Sequence, residues 1–389
     1  MEPISKKVLS GLAAGVISLS IFAPASQAVT PEKNSYYTIH LAANANKVWD
    51  VSQASLDEYR GILLWDGSRG DNEQFVFFPL DDGKYAIVNK NSGKPVTISG
   101  YGVYAWAGKG YGYKYGNSET LLQRRWSGNA TEQWYLRDKG NNNYEIVNQG
   151  YGKVASYARD WDYDNTEFVD LDYSNPSDND RLFHIPAARS SFTLPTLPAT
   201  GTRPAAPDYT EGINQQLPQT SNSVVIGASL IPCIMVNDSS ASDYTKIHNS
   251  PYYTLVKEEY WDKTFSKVIQ PGLSESYSYV TGVSSVDQKK MTDTLSMTFG
   301  ADLGFKFKDV TASLKYEISK TTQTEISTTN SEAKEETRSY TATGEPGKAT
   351  GYTQYQLATK YTLKRADGST VSDPWVVKND RITVTRKTS

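Results

Sequence analysis

A short phrase that recurs along the first half of the chain constrains its fold more than any other feature. YAIVN at residues 85–89 returns as YEIVN at 144–148, and YTI at 37–39 opens an earlier copy. Each copy continues through a turn containing Gly or Asn into an apolar strand. The copies close on related phrases, NEQF at 72–75, TEQW at 131–134 and NDRL at 179–182. Three units of roughly fifty residues, built from short strands and turns, predict a closed all-β repeat structure.

The composition agrees with a chain built from strands. It contains 27 Tyr among 389 residues, and aromatic and β-branched residues favour strands. The length suggests two or three domains. A formal net charge of −3 gives no reason to expect a nucleic acid partner, because nucleic acids bind strongly basic surfaces. We therefore predict an all-β protein of at least two domains.

Few residues in this sequence could carry bond chemistry. The single cysteine, Cys233, lies in the apolar run LIPCIMV, so no intrachain disulfide can form and a buried thiol is expected. The three histidines, His40, His184 and His248, lack the spacing of metal ligands or of a catalytic triad. The C-terminal carboxylates fall on predicted strand surfaces or turns rather than as a pair in a cleft. We expect no enzyme activity, no catalytic residue, no cofactor and no metal.

Residues 1–28 have the organisation of a secretory signal peptide. Lys6 and Lys7 precede the apolar run VLSGLAAGVISLSIFA, and Ser26 and Ala28 supply small residues at a cleavage site. The run is too short and too interrupted by glycine for a convincing membrane helix. The mature protein is therefore expected to be secreted.

The repeat segment, residues 29–188, resembles the ricin-B-like β-trefoil, and we call it the head. Each of the three lobes in that family carries a Q-x-W phrase. This chain has a degenerate version in each unit, namely Glu73 with Phe75, Glu132 with Trp134, and Asp180 with Leu182. The resemblance implies an N-terminal β-trefoil that binds a receptor or a glycan.

The resemblance also implies one sugar site. In that family a lobe binds sugar through an Asp after its first strand, a stacking aromatic residue and an Asn beside the Q-x-W phrase. The first lobe matches at Asp50, Trp65 and Asn72. The second lobe has Thr97 in place of the Asp, and the third has no clear match. A carboxylate and an amide can bind vicinal hydroxyls while an indole covers the apolar face of a sugar ring. The alternative is that Trp65 lies in the core and Asp50 in a turn.

Residues 189–220 are rich in proline and have little periodicity. Such a composition is typical of a semi-extended linker or of a strap laid over a neighbouring domain. We call this segment the connector. It is predicted to join the head to a second domain over residues 221–389, which we call the tail.

An alternating stretch at residues 295–318 is the most distinctive part of the tail. Its apolar residues fall at odd positions up to Phe307 and at even positions from Val310, which indicates two amphipathic strands that meet at Lys308-Asp309. The predicted apolar face consists of Leu295, Met297, Phe299, Ala301, Leu303, Phe305, Phe307, Val310, Ala312, Leu314, Tyr316 and Ile318. The apolar spacing in the second half also fits one face of a helix, and the two residues at the junction are a poor turn sequence.

A hairpin with one apolar and one polar face fits two settings. In a soluble β-sandwich the apolar side faces the core. In a ring of identical hairpins that side faces lipid, and the polar side lines a water-filled barrel. The polar side includes Ser296, Asp302, Lys306 and Glu317. The flanking sequences are long, rich in Ser and Thr and poor in large apolar residues, which is unusual for ordinary sandwiches and favours the second setting.

These flanks resemble the pore-forming module of aerolysin-like toxins. The phrase IPCIMVND at 231–238, followed by SPYY at 250–253 and YW at 260–261, is similar to the Bin/Tpp-type insecticidal toxins, which join a ricin-B-like trefoil to an aerolysin-like domain. The resemblance implies an elongated aerolysin-like β-sandwich tail whose hairpin at residues 295–318 inserts into a membrane.

The same resemblance implies partners and a location. The partners are a cell-surface glycan or glycoprotein receptor, the target-cell membrane and further copies of the chain in a homo-oligomeric pore. A second toxin component is an additional partner that the resemblance allows. Members of the family accumulate in parasporal crystals, which is an alternative to secretion. The main rival interpretation is a secreted non-toxic lectin whose second domain is a structural β-sandwich.

Overall fold

The computed structural model describes residues 30–100, 103–106, 112–160 and 165–389. The predicted signal peptide, residues 1–28, lies outside the described residues. The strands up to the connector are β1 (Ser35–Tyr37), β2 (His40–Leu41), β3 (Asn44–Val51), β4 (Arg60–Asp66), β5 (Phe75–Pro79), β6 (Tyr85–Asn89), β7 (Val96–Ile98), β8 (Val103–Trp106), β9 (Gly112–Tyr115), β10 (Leu121–Gln123), β11 (Trp134–Asp138), β12 (Asn143–Asn148), β13 (Val154–Asp160), β14 (Thr166–Asp172), β15 (Phe183–His184) and β16 (Ser190–Ser191).

The sequence repeat is also a structural repeat. The three related closing phrases form one-turn 3-10 helices that lead into β5, β11 and β15, at Asp71–Glu73, Ala130–Glu132 and Asn179–Arg181. The Asn that ends the recurring phrase ties the strand to this turn: Asn89 donates to the Asn72 carbonyl and Asn148 to the Thr131 carbonyl, both at 2.9 Å. A buried amide left unpaired is costly, which explains an Asn at this position. The repetition confirms the predicted trefoil.

Large aromatic side chains fill the centre of the head. Among the described residues, fourteen strands join in one sheet, while β8 and β9 pair separately. Inside it, Trp49, Phe75, Phe77, Trp134 and Phe183 are fully buried. The Trp49 ring meets the rings of Phe75 and Phe183 edge to face, at 6.1 and 5.4 Å between centroids. Such contacts add to the stability that comes from burial alone.

The connector lies along the tail. Its first residues form β16, which pairs with β1 of the head. Farther on, the Trp261 indole N–H donates to the Pro204 carbonyl at 2.8 Å, and Arg203 pairs with Glu259 at 2.7 Å. Leu217 is buried in the same cluster as Trp261. In this structure the segment is therefore a strap over the tail.

The tail is built around very long strands. They are β17 (Val224–Pro232), β18 (Tyr252–Ile269), β19 (Ser274–Val283), β20 (Met297–Phe299), β21 (Phe305–Phe307), β22 (Glu336–Thr343), β23 (Thr350–Lys364) and β24 (Trp375–Thr388). Six of these described strands form an antiparallel sheet in the order β17-β18-β23-β24-β19-β22. β18 and β23, of 18 and 15 residues, pair along almost their whole length. The prediction of long strands in the tail is confirmed.

The protein is mostly β, as predicted, but the described part of the tail also contains four α-helices. They are α1 (Asp243–Asn249), α2 (Ser285–Leu295), α3 (Asp309–Ala312) and α4 (Lys315–Thr322). Within the described residues, no helix has the length and the apolar character needed to cross a membrane.

The hairpin predicted over residues 295–318 is wrong for this structure. Only β20 and β21 pair there, from Met297↔Phe307 to Phe299↔Phe305, so the chain turns at residues 300–304 and not at Lys308-Asp309. The second predicted strand is replaced by α3 and α4.

Local chemistry explains this difference. Asp302 accepts hydrogen bonds from the N–H groups of Gly304 and Thr328, at 3.2 and 2.9 Å, which fixes the early turn. Leu314 and Ile318, four residues apart, are both buried, as expected for one face of a helix packed on a core. The helical spacing noted in the sequence therefore prevails over the alternation in the second half of the segment.

Residues 284–335 form an insert between two strands that pair with each other. β19 and β22 are antiparallel neighbours from Ser274↔Thr343 to Thr281↔Glu336. β22 lies at the end of the described sheet order and is exposed along nearly its whole length. We call this strand pair the stem, because the insert leaves and re-enters the sheet at its end.

Apolar side chains of the insert lie in a core that the head and the tail share. The rings of Phe299 and Phe305 each lie 5.3 Å from the ring of Tyr361 on β23. The head contributes Phe78 and Trp126 to the same cluster. The two halves of the molecule are therefore joined by continuous apolar packing at the insert.

Candidate functional site

The three residues predicted to bind sugar line one cleft in the head. Asp50 lies on β3, Trp65 on the neighbouring strand β4, and Asn72 in the turn before β5. The cleft has a volume of about 630 Å³. This size is within the range of small-ligand sites in proteins.

The polar end of the cleft is a hydrogen-bonded pair of side chains. The Asn72 amide donates to the Asp50 carboxylate at 2.6 Å. The main-chain carbonyl of Asn72 accepts from the side-chain amide of Asn89, the last residue of the repeated phrase. Asp50 is only 6% exposed. The repeat architecture thus holds both polar groups in place before any ligand arrives.

Burial governs the charge of this pair. Burial, with a smaller contribution from the Glu73 carboxylate, raises the pKa of Asp50 to about 7 against the opposing hydrogen bond from Asn72. Glu73 is itself buried, and its carboxylate accepts from the backbone N–H groups of Ser68 and Arg69 at 2.8 and 2.7 Å. Near neutral pH Asp50 can therefore either accept from or donate to a sugar hydroxyl.

Trp65 forms the apolar wall of the cleft. Its side chain is 59% exposed, which excludes the alternative that it belongs to the core. Its backbone is held in register opposite Val48 on β3. An exposed indole on a strand, beside a buried carboxylate and an amide, can cover the apolar face of a sugar while the polar groups bind its hydroxyls.

The opposite wall comes from the third repeat, and sequence reasoning missed it. Thr166 and Glu167 on β14 line the cleft. Glu167 pairs with Lys47 of β3 at 2.9 Å between the ammonium and carboxylate groups. The β14 strand reaches this place because it pairs with β4, with Phe168 opposite Leu63. No local sequence signal marks a contact between segments so far apart in the chain.

The corresponding positions in the other two repeats carry hydroxyl side chains that bond to the backbone. Thr97 is buried, and its hydroxyl donates to the Thr131 carbonyl at 3.2 Å. Ser156 is buried in the third repeat and donates to the Tyr157 carbonyl at 3.3 Å. Of these three equivalent positions, only Asp50 opens into the cleft.

The second predicted set, the apolar face of residues 295–318, lies against protein. All of its members are buried or half-buried except Ala301 and Tyr316, which are exposed. On the predicted polar side, Glu317 is exposed, and Asp302 and Lys306 are half-buried. The apolar face can therefore meet another surface only if the segment leaves this core.

The structure gives little scope for metal or thiol chemistry in its described part. No group of three or more His, Cys, Asp and Glu side chains that could hold a metal ion occurs among the residues it describes. Cys233 is fully buried, and burial raises the pKa of its thiol to about 12. Such a thiol is unreactive at neutral pH.

Two family models match the chain, one in each half. The model described as Ricin-type beta-trefoil lectin domain-like matches residues 26–109, and the model described as Insecticidal Crystal Toxin, P42 matches residues 224–387. The crystal structure of Cry35Ab1 superposes on the protein with a TM-score of 0.77 at 19% identity, covering 92% of this chain and 90% of that one. That likeness shows a shared fold over almost the whole chain.

Curated relatives of the chain are also named as larvicide subunits or insecticidal proteins. Binary larvicide subunit BinA of Lysinibacillus sphaericus is 28% identical over 319 residues, which cover 81% of this chain and 80% of the relative. Binary larvicide subunit BinB of the same organism is 24% identical over 80% of this chain and 69% of the relative. Insecticidal crystal protein Cry35Ab1 of Bacillus thuringiensis is 25% identical over 71% of this chain and 67% of the relative. The resemblance to the Bin/Tpp-type insecticidal toxins that the sequence predicted is therefore confirmed for both the trefoil head and the β-sheet tail.

Proposed function

We propose that the chain is a secreted insecticidal β-pore-forming toxin. Its head, residues 29–188, binds a cell-surface glycan or glycoprotein, and bound copies oligomerise. Residues 295–318 of each tail then join in one β-barrel through the target membrane. The observation that carries this proposal is that one chain combines an open polar and aromatic cleft with a covered amphipathic insert.

The contents of the cleft support a glycan as the group that the head recognises. Asp50 and Asn72 offer a carboxyl and an amide at hydrogen-bonding distance from each other, and Trp65 stands exposed beside them. The Lys47–Glu167 pair supplies further polar groups on the far wall. Sugar rings combine hydroxyl edges with an apolar face, so they match this distribution better than a purely apolar ligand does.

The position of the insert supports its release into a membrane. The insert follows directly on the stem, so continued pairing beyond Thr281 and Glu336 would lengthen β19 and β22 without rebuilding the rest of the sheet. A tilted strand needs about 9–11 residues to cross the lipid core, and residues 295–307 exceed that length. Closing the strands into a ring pairs every strand edge, which a single hairpin in lipid cannot do. Helices as short as α3 and α4 depend on packing, so they can convert to strand once released.

The relatives support a second toxin component as an additional partner. BinA and BinB are each named as subunits of a binary larvicide. A homologous chain with the same two-part organisation is therefore a candidate to act in such a pair, alongside the proposed self-association of this chain in the pore.

Dye leakage from liposomes tests the proposal. The wild-type chain is expected to bind liposomes that carry target-cell membrane extract and to release the trapped dye. Trp65→Ala removes the apolar wall of the cleft, and we expect binding to fall about tenfold or more, the loss that corresponds to ~1.4 kcal/mol or more at a central contact. Tyr173→Ala removes an aromatic side chain that is 72% exposed on the head outside the cleft, and serves as the matched control with unchanged binding.

The outcomes separate the two halves of the proposal. Wild-type binding by a correctly folded Trp65→Ala variant would remove the sugar site. Binding of the wild-type chain without dye release, in the presence and absence of other fractions of the producing culture, would favour a non-toxic lectin.

A further inference from the structure

The head contacts the 295–318 segment through the backbone of that segment. The Trp126 indole N–H donates to the Val310 carbonyl at 2.6 Å. The two carboxylate oxygens of Asp81 accept from the N–H groups of Tyr316 and Glu317, at 3.0 and 3.2 Å. The head therefore holds the chain at both α3 and α4.

The contact with Asp81 completes a helix end that α4 cannot complete by itself. The first N–H groups of a helix have no partner within it, and a side chain at the N-cap normally accepts from them. In α4 the N-cap residue is Leu314, which offers no side-chain hydrogen bond. Asp81 of the head accepts from these N–H groups in place of an N-cap side chain. Its negative charge also interacts favourably with the N-terminal end of the helix dipole. The N–H of Asp81 in turn donates to the Ser313 carbonyl at 2.8 Å.

A close backbone approach forms the third contact. A Cβ atom on Gly128 would lie 1.9 Å from the carbonyl oxygen of Asp309, so only glycine allows the head to come this near to α3. Gly128 also has a φ of +84°, which favours glycine. The loop of the head at residues 125–128 is held in this conformation, because Glu132 accepts from the N–H groups of Ser127 and Gly128 at 2.9 and 2.8 Å.

The same loop is anchored on a part of the tail outside the insert. The Arg125 guanidinium lies 3.6 Å from the Asp243 carboxylate at the start of α1, and Lys94 of the head lies 3.4 Å from it. Lys246 on α1 pairs with Asp243 as well, at 3.1 Å. Residues 125–128 therefore contact α1, which lies outside the insert, at one end and α3 of the insert at the other.

This loop belongs to the second repeat, where Thr97 stands at the position equivalent to Asp50. Glu132 holds residues 127–129 in the second repeat as Glu73 holds residues 68 and 69 beside the sugar cleft in the first. The trefoil thus has the same arrangement twice, a buried Glu that holds the N–H groups of the preceding loop. In the first repeat this loop borders the cleft, and in the second it borders the insert.

We propose that Asp81 and residues 125–128 form a clamp by which the head keeps the 295–318 segment folded, and that this clamp opens before the segment inserts. The second half of this proposal rests on the pore formation proposed above, whereas the first half does not. The clamp uses the Val310 carbonyl and the Tyr316 and Glu317 N–H groups, which are backbone groups that a strand of a barrel needs for its own pairing. The clamped and inserted conformations therefore exclude each other.

Hydrogen exchange of the full chain tests the clamp directly. Asp81→Asn keeps the shape of the side chain but removes its charge and one acceptor, and Trp126→Phe keeps an aromatic ring but removes the N–H donor. In the double variant we expect peptides over residues 309–322 to exchange about tenfold faster than in the wild type, with no change in β23. Asp82→Asn is the matched control, because Asp82 is adjacent and 70% exposed in its side chain, and within the described part of the chain its carboxylate pairs with Lys84 and not with the insert.

Dye release from extract-bearing liposomes, measured on the same proteins, tests the role of the clamp. Faster release by the double variant than by the wild type supports clamp opening as a step before insertion. Wild-type exchange over residues 309–322 in a folded double variant would overturn the clamp, and faster exchange with unchanged release would overturn its role in insertion. If exchange is faster in the double variant but the wild type and both variants release no dye, the clamp is supported and the proposed pore formation is contradicted.

Discussion

Replacing Arg365 with alanine is expected to lower the free energy of unfolding by about 3–5 kcal/mol, the cost of leaving a buried charge without its partner. The Arg365 guanidinium donates to both carboxylate oxygens of Asp238, at 2.6 and 2.9 Å. The Asp238 side chain is 1% exposed, and Tyr253 and Ser240 also donate to it, at 3.0 and 2.8 Å. Asp238 ends the phrase IPCIMVND, so this pair gives a structural reason for the most specific motif of the tail.

Urea denaturation of the purified chain measures this effect. Arg338→Ala is the matched control, because Arg338 is 50% exposed in its side chain and pairs near the surface with Glu336 at 2.9 Å and Asp380 at 3.2 Å. Its loss should cost less than about 1 kcal/mol. A cost for Arg365→Ala as small as that of the control would show that the buried pair does not stabilise the tail.

The pH dependence of stability follows from the same pair. Burial alone would raise the pKa of Asp238, but the hydrogen bonds from Arg365 and Ser240 outweigh it and hold the pKa well below the usual range of a carboxyl. The unfolded chain therefore binds this proton more tightly than the folded chain does. The stabilisation is complete at neutral pH and is lost as the pH falls below about 4. The difference in stability between the wild type and Arg365→Ala should narrow over that acidic range.

Replacing Tyr316 with lysine is expected to abolish dye release without disturbing the folded protein. Tyr316 belongs to the predicted lipid face, yet its side chain is 56% exposed in this structure, so the substitution leaves the core intact. In the predicted hairpin, pairing of Phe307 with Val310 places Tyr316 opposite Ala301, near the middle of the strands. A lysine facing lipid there costs about 2–4 kcal/mol for each copy in the ring.

Glu317→Lys is the matched control for this substitution. It introduces the same side chain at the next residue, which is also exposed in this structure but belongs to the predicted lumen face. Dye release should persist in this variant. Phe305→Lys also places a charge on the predicted lipid face, but it is a poorer test. Phe305 is fully buried, so its loss would also destabilise the folded tail. Wild-type release by Tyr316→Lys would contradict the predicted lipid face.

The head could be predicted from sequence because its information is local and repeated. The recurring Asn occurs twice and the closing phrase three times, and in each unit the closing phrase forms the same turn. Asp50, Trp65 and Asn72 lie close together because they surround one such turn. The far wall of the cleft, with Glu167, was not predictable, since it depends on how the third repeat packs against the first.

The tail shows where a pattern of period two is insufficient. The alternation in residues 295–307 does produce β20 and β21, but the length and the turn depend on partners elsewhere in the chain. Asp302 fixes the turn with Thr328, and the cap of α4 comes from Asp81, 235 residues away from Tyr316. Contacts of this kind leave no mark in the local sequence. The alternation remains a prediction about the inserted state, in which those partners are absent.

A fluorescence scan of the 295–318 segment tests the pore most directly. Single cysteines carrying an environment-sensitive dye are placed at Ala301 and Tyr316 on the predicted lipid face, and at Asp302 and Glu317 on the predicted lumen face. The native Cys233 is fully buried with its thiol pKa raised to about 12, so it stays unlabelled in the folded chain. On liposomes bearing target-cell membrane extract, the dyes at 301 and 316 should report an apolar environment and those at 302 and 317 should remain in water. The absence of this alternation in protein bound to the liposomes would contradict the barrel and leave a lectin with a structural β-sheet tail.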